Sequence, residues 1–145
     1  MKKQITTIVA TLSLIVTLTA LGIAAGSGIA LTANIPFDFT VNGKTLPAGQ
    51  YNVTTGSAQG TLMVRNADTR EAAVVIVNNA STDQDGKAML KFHRYGAQRF
   101  LASVSDGNNA SEIPVTKAER KARSGDHLAI ELKPEIVTVS ATIGQ

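Results

Sequence analysis

The sequence contains no cysteine among its 145 residues and only two histidines, His93 and His127. The absence of cysteine excludes disulfide bonds, thiol nucleophiles and cysteine-based metal sites. Neither histidine belongs to a spacing motif, and the chain has no Gly-x-Ser-x-Gly elbow and no phosphate-binding glycine loop. We therefore expect a protein that is not an enzyme, with no catalytic residues, no cofactor and no metal site.

Charged residues are also scarce, at 17% of the chain, whereas hydrophobic residues reach 43%. This balance excludes a disordered chain, and the length allows one ordinary domain. The formal net charge of +3 includes Lys2 and Lys3 at the N-terminus; without them, twelve basic side chains stand against eleven acidic ones. A nearly neutral surface is not suited to a phosphate backbone, so we expect no nucleic-acid partner.

The N-terminal segment has the order of an export signal. Lys2 and Lys3 precede an uncharged apolar run, residues 5–25, which ends in alanine and glycine. A short positive segment, an apolar run and then small residues are typical of a cleaved signal peptide. The alternative is an uncleaved anchor, because about 20 apolar residues can span a bilayer.

These features predict the domain organisation. We expect residues 1–30 to form an N-terminal signal helix, with cleavage between Ala25 and Ala33. Residues 31–145 would then form a single β-rich domain in the periplasm or the extracellular space.

Short alternating segments separated by turn residues fill the rest of the chain. Phe37, Phe39 and Val41 alternate with polar residues and predict one strand whose core face carries both rings. Asn42-Gly43 then predicts a tight hairpin, because both residues tolerate a positive φ. Eight or nine such strands predict an all-β fold, either a single antiparallel β-sandwich or a small β-barrel, with one short helix near residues 116–123.

Three further segments carry specific expectations. Residues 72–77 are apolar on both faces, which predicts a central strand. Residues 81–87 predict a polar loop, and His127–Leu132 predicts a strand before a last strand over Glu135–Ile143.

The densest group of basic and aromatic residues gives the candidate binding site. Strand alternation places Lys91, His93 and Tyr95 on one face, and Arg99 follows after a turn. Such a face could stack on a sugar ring or contact an acidic partner. The alternative is a solvent-facing surface on which Tyr95 packs over the hairpin, with Leu90 and Phe92 pointing into the core. Because alternation turns the ring of His93 away from the core, we expect His93→Ala to cost within about 1 kcal/mol.

The basic residues of the predicted helix have a plainer interpretation. Lys117, Arg120, Lys121 and Arg123 are interrupted by Glu119. Four charges of this kind usually form a solvated face.

Two ordered blocks of sequence carry a resemblance to a known group of proteins. The first block contains Pro36-Phe37-Asp38-Phe39-Thr40-Val41 and Leu46-Pro47-Ala48-Gly49-Gln50-Tyr51, and the second contains Phe92-His93-Arg94-Tyr95-Gly96. In these blocks the chain resembles small exported β-rich proteins of acidobacteria and other soil bacteria. The resemblance implies export and a β-rich fold, and it implies no particular activity.

Two classes of function follow. The first is an exported, non-enzymatic structural or binding β-domain that contacts a protein or glycan partner at the cell envelope or outside the cell. The second is a subunit of a strand-exchanging extracellular assembly, which would self-associate through an edge strand such as residues 28–35. An enzyme of unknown type is a distant alternative. Contact with a membrane is expected only through the N-terminal segment, if that segment is uncleaved.

Overall fold

The structure of the protein, a computed structural model, describes residues 28–80, 86–125 and 133–144. Three expectations lie outside these residues, wholly or in large part. They concern the signal helix within residues 1–30, most of the predicted loop over residues 81–87, and the predicted strand at residues 127–132.

Strands dominate the described residues, and one short helix accompanies them, so the predicted all-β class is confirmed. The elements in chain order are β1 (Ala30–Ile35), β2 (Phe39–Val41), β3 (Lys44–Leu46), β4 (Gly49–Thr55), β5 (Thr61–Asn66), β6 (Ala72–Ile76), β7 (Asn78–Ala80), β8 (Ala88–Tyr95), β9 (Gln98–Asp106), β10 (Ala110–Glu112), α1 (Lys117–Ser124) and β11 (Glu135–Ile143).

The strands form one sheet that curves into a nearly closed barrel. Its main path runs β3-β2-β9-β8-β11-β1-β4-β5-β6. The pairs are antiparallel, apart from a single parallel contact of Thr40 on β2 with Phe100 on β9. Between the two predicted architectures, the curved sheet favours the barrel.

The last strand of the path, β6, meets the other side of the sheet in different ways at the two ends of the barrel. At one end only Val77 separates β6 from β7, β7 pairs with β10, and β10 pairs with β9, so backbone ladders complete the ring. At the other end the β2–β3 hairpin approaches β6 with side chains. Asn42 Nδ2 donates to the carbonyl of Val74 at 3.0 Å, and Lys44 Nζ donates to the carbonyl of Ala72 at 3.4 Å.

The turns follow the sequence signals. Asn42 and Gly43 have φ of 47° and 76°, as a type I′ hairpin requires, so the predicted hairpin is confirmed. The next turn is fastened by two hydrogen bonds. The N–H of Ala48 donates to Asp38 Oδ1 at 2.9 Å, and the Tyr51 hydroxyl donates to the carbonyl of Pro47 at 2.6 Å. Burial raises the pKa of Tyr51 above its ordinary value, which keeps the hydroxyl a donor.

Apolar side chains from nearly every strand fill the barrel. Phe39 is 1% exposed, and its ring meets the rings of Tyr51 and Phe92 edge to face, at centroid distances of 5.0 and 5.5 Å. Leu90 and Phe92 point into this core, as the alternation along β8 predicts. The interlocked rings fix how the β2, β4 and β8 segments pack across the interior.

The predicted single strand through Phe37 and Val41 is divided in the structure. It breaks at residues 36–38, and β1 and β2 pair with different neighbours. Proline at position 36 cannot donate to a ladder, which favours the break. Phe39 is deep in the core, but Phe37 is only half-buried, with its ring 5.2 Å from that of Phe92.

Two expectations about strand position are wrong. The predicted central strand, β6, is the last strand of the main path, and its Val74 and Ile76 are 50% and 70% exposed. The uncharged segment at residues 28–35, expected as a free edge, contains β1, which pairs with β11 on one side and β4 on the other. Hydrophobicity alone did not distinguish a strand with two partners from one with an exposed edge.

Candidate functional site

Helix α1 begins after a capping threonine and ends before a glycine. Thr116 is the N-cap, and its side-chain oxygen accepts a hydrogen bond from the N–H of Glu119 at 3.2 Å. Gly125 follows the last helical residue with a φ of 59°, which a glycine adopts without strain. The predicted helix near residues 116–123 is therefore confirmed.

A buried carboxylate fastens this helix to the outer face of β8. Glu119 is only 3% exposed, and its Oε1 lies 2.7 Å from His93 Nδ1. The Tyr95 hydroxyl donates to the same oxygen at 3.3 Å. We call these three residues the Glu119 clamp.

An aromatic contact supports the clamp. Phe100 lies opposite His93 across the β8–β9 ladder, and its ring is 6.0 Å from that of Tyr95. Tyr95 and Phe100 are buried, yet they are separate from the barrel core. They form a second apolar layer on the outside of the sheet, between the strands and the helix.

The structure brings together only part of the predicted binding cluster. His93 and Tyr95 share the Glu119 clamp, and Lys91 is half-buried two residues before His93. Arg99 lies apart from them, with its guanidinium 4.6 Å from the centre of the Phe37 ring. The binding role of these four residues stays a prediction. As expected, His93 faces away from the core, but the helix covers its ring and binds it.

A groove runs beside the helix. One cavity of about 470 Å³ lies between α1, the β2–β3 hairpin and the start of β9, and a second of about 600 Å³ lies at the first turn of α1. Gly43, Ala118 and Lys121 line both cavities, so we treat them as one feature, the α1 groove. Its lining consists of Thr40, Asn42, Gly43, Thr45, Gln98, Phe100, Thr116, Lys117, Ala118, Lys121, Ala122 and Gly125.

Sequence reasoning did not find this groove. The charge pattern predicts a solvated face for Lys117 and Lys121, and Thr40 and Gln98 carry no pattern that marks a site. The groove depends on where the helix docks, and docking depends on the contact between Glu119 and His93, which are 26 residues apart. The lone glutamate among the basic residues of the helix was the available signal.

A further cavity, of about 560 Å³, lies near Ile29, Gly60 and the loop after β9. Asp106 lines it, but its Oδ1 accepts hydrogen bonds from the N–H groups of Asn108 and Asn109 at 2.8 and 2.7 Å. Burial alone would raise the pKa of Asp106, but these backbone hydrogen bonds outweigh it and lower the pKa below its ordinary value. This carboxylate therefore organises its own loop.

Two searches of the described residues bear on other kinds of site. In residues 28–80, 86–125 and 133–144, no group of three or more histidine, aspartate or glutamate side chains is placed to hold a metal ion. Over the same ranges, no helix has both the length and the apolar character to cross a membrane.

A scan against models of known protein families finds no match, and searches of curated proteins and of solved structures find no similar chain. The resemblance to exported proteins of soil bacteria therefore stays a prediction.

Proposed function

We propose that this protein is an exported, non-enzymatic β-domain that binds a partner at the cell envelope or in the extracellular space, and that the α1 groove is its binding surface. The observation that carries the proposal is the docked helix. The Glu119 clamp holds α1 on the sheet, and the groove lies between that helix and the β2–β3 hairpin.

The clamp makes the groove a preformed surface. A short exposed helix is marginal in water by itself, so α1 depends on its contacts with the sheet. Because the helix is docked before any ligand arrives, binding does not have to order it, and this favours affinity. The only described histidine, His93, is engaged in the same clamp, which supports a binding role over catalysis.

Co-sedimentation with isolated cell envelopes of the native host tests the proposal. Ala118 is exposed and lines both parts of the groove, so Ala118→Trp should fill the groove and abolish co-sedimentation. Arg120→Trp is the matched control, because Arg120 is exposed on the same helix and does not line the groove. Equal binding by both variants, or no binding by the unmodified protein, would contradict the proposal.

A second candidate function is a subunit of a strand-exchanging assembly, and β6 is the observation that favours it. This strand ends the main path and exposes Val74 and Ile76, and the side chains of Asn42 and Lys44, not the backbone of a further strand, bond its carbonyls. Exposed apolar edge strands are prone to pair with another chain. Size-exclusion chromatography across a range of concentrations tests it: self-association should appear in the unmodified protein and disappear in Val74→Lys/Ile76→Lys.

The fold also sharpens the expected position of signal cleavage. Leu31 and Ala33 are buried in β1, which pairs on both sides. Cleavage after Ala33 would remove four of the six residues of β1, whereas cleavage after Ala25 would leave β1 complete. We therefore expect the cut near Ala25, and intact-mass measurement of protein from the native host would check it. A mature chain that keeps Lys2 and Lys3 would indicate an anchor.

A further inference from the structure

Positive charge dominates the α1 groove. Lys117 and Lys121 are exposed and line it, and no acidic residue of the described chain does so. Glu119, the acidic residue between them, is turned toward His93. Within residues 28–80, 86–125 and 133–144, neither lysine takes part in an ion pair.

The spacing of the two lysines is unfavourable for the free protein. They are four residues apart on one helix, where like charges repel each other. The first turn of α1 also borders the groove, and the positive end of the helix dipole adds to the same field. An anion between the lysine side chains would relieve this repulsion, which makes the groove electrostatically complementary to negative charge.

Neutral polar groups line the part of the groove between α1, the β2–β3 hairpin and β9, where polar and apolar surface are present in similar amounts. The hydroxyls of Thr40 and Thr45 are 3.2 Å apart, and the amide of Gln98 lies in the same cavity. The part at the first turn of α1 is mainly apolar but open to solvent, and no large hydrophobic side chain lines it. Protein partners are usually anchored by a large side chain in a deep apolar pocket. Hydroxyl and amide groups instead suit a ligand that is rich in hydroxyls.

We infer that the α1 groove binds an acidic polysaccharide, a sugar chain that carries carboxylates. Lys117 and Lys121 contact the carboxylates, and Thr40, Thr45 and Gln98 exchange hydrogen bonds with the sugar hydroxyls. This inference rests on the proposed function, since it names the ligand class of the same groove.

Titration calorimetry of the folded chain with polygalacturonate, a carboxylated sugar polymer, tests the inference. Binding should be measurable in low salt, weaken as salt screens the charges, and be absent with neutral dextran. Lys117→Gln/Lys121→Gln should weaken binding at least about tenfold, because it removes both charge-assisted contacts. Gln98→Ala should weaken it less.

The control has the same net charge as the test variant. Arg120→Gln/Lys133→Gln removes two exposed positive charges that do not line the groove, and it should bind as the unmodified protein does. Equal losses in the two double variants would show nonspecific attraction and overturn the inference. Absence of binding to polygalacturonate would also overturn it, and so would equal or tighter binding to poly-glutamate, which would indicate an acidic protein as the occupant.

Envelope co-sedimentation separates this inference from the proposed function. If Ala118→Trp loses envelope binding while Lys117→Gln/Lys121→Gln keeps it, the groove is the binding surface and its ligand is not the proposed anion. If Ala118→Trp and Arg120→Trp bind envelopes equally, the groove itself is not the binding surface.

Discussion

The two faces of the β8–β9 hairpin are buried in different ways. On the inner face, Phe92 packs into an apolar core against Phe37 and Phe39. On the outer face, a buried carboxylate binds His93 and Tyr95 beneath helix α1. The inner contacts are nondirectional and numerous, whereas the outer ones depend on a few atoms in fixed positions.

The inner contacts therefore determine the stability of the barrel, whereas the outer contacts determine where helix α1 lies. Loss of inner packing affects the whole barrel, because nearly every strand contributes to one core. Loss of the Glu119 clamp affects mainly the helix and the groove beside it. The fold can therefore tolerate change at the clamp that the proposed binding surface cannot.

Phe39→Ala should have the largest effect on stability. The side chain is 1% exposed and contacts two other rings, so truncation removes apolar burial and leaves a cavity. We expect a loss of about 3–5 kcal/mol in the free energy of unfolding, comparable with the whole stability of a small domain. Urea or thermal unfolding measures it.

Phe37→Ala is the matched comparison for Phe39→Ala. Phe37 has the same side chain but is half-buried where the strand breaks, so the loss should be clearly smaller. Equal losses would mean that both rings belong to the core, as the alternation pattern alone predicted.

The clamp should produce the next largest effect. His93→Ala leaves the buried carboxylate of Glu119 without a hydrogen-bond partner at 2.7 Å, and hydrogen bonds to charged groups contribute about 1.5–3 kcal/mol. We therefore expect about 2 kcal/mol, more than the 1 kcal/mol or so that a surface residue would give. Denaturant unfolding measures this loss. Amide hydrogen exchange should become faster in His93→Ala than in the unmodified protein, and the increase should be larger in residues 117–124 than in the barrel strands.

Glu119→Gln serves as the control for the clamp. It keeps an acceptor oxygen near His93 and Tyr95 and removes only the charge, so it should cost less than Glu119→Ala. If His93→Ala costs no more than a surface change, the helix does not depend on the clamp and the comparison between the two faces fails.

The sequence predicted elements that depend on local chemistry. Three such features depend only on neighbouring residues and are confirmed. They are the Asn42-Gly43 hairpin, the helix that begins after Thr116, and the core-facing positions of Leu90 and Phe92. It did not predict which strand is at the end of the sheet, because Val74 and Ile76 would suit either position. Strand order is set by pairings between distant segments, which single-sequence periodicity does not encode.

Even less of the candidate site could be predicted from the sequence, because the site is formed by contacts between distant segments. His93 and Tyr95 were identified as neighbours because they share a strand face, and the structure confirms that they lie together. Their partner Glu119 and the lining of the groove come from other elements. A buried glutamate among basic residues looks the same in sequence as an exposed one, so only the docked helix reveals its role.

Asp38→Ala should reduce stability less than the clamp variants do. It compares a hydrogen bond to an exposed carboxylate, Asp38, with those to the buried carboxylate of Glu119. Asp38 is exposed but accepts a hydrogen bond from the N–H of Ala48 at 2.9 Å. We expect a loss of about 1 kcal/mol, typical of one hydrogen bond. Asp38→Asn keeps the acceptor and should recover most of it. A loss as large as that of Phe39→Ala would show that this turn supports the core.

The smallest effect is a pH dependence at Asp106, a carboxylate held by its own loop. Its pKa in the folded protein is lowered, so the folded chain binds fewer protons at this group than the unfolded chain does in the acidic range. The stabilisation is complete above the unfolded value, about 3.9, and is lost as pH falls through the folded value. Asp106→Asn cannot titrate, so the difference in unfolding free energy between it and the unmodified protein should be constant near neutrality and shrink on acidification. Other groups titrate equally in both proteins and cancel. A difference that stays constant down to about pH 2.5, well below the ordinary aspartate value, would show that the hydrogen bonds from Asn108 and Asn109 do not favour the ionised carboxylate.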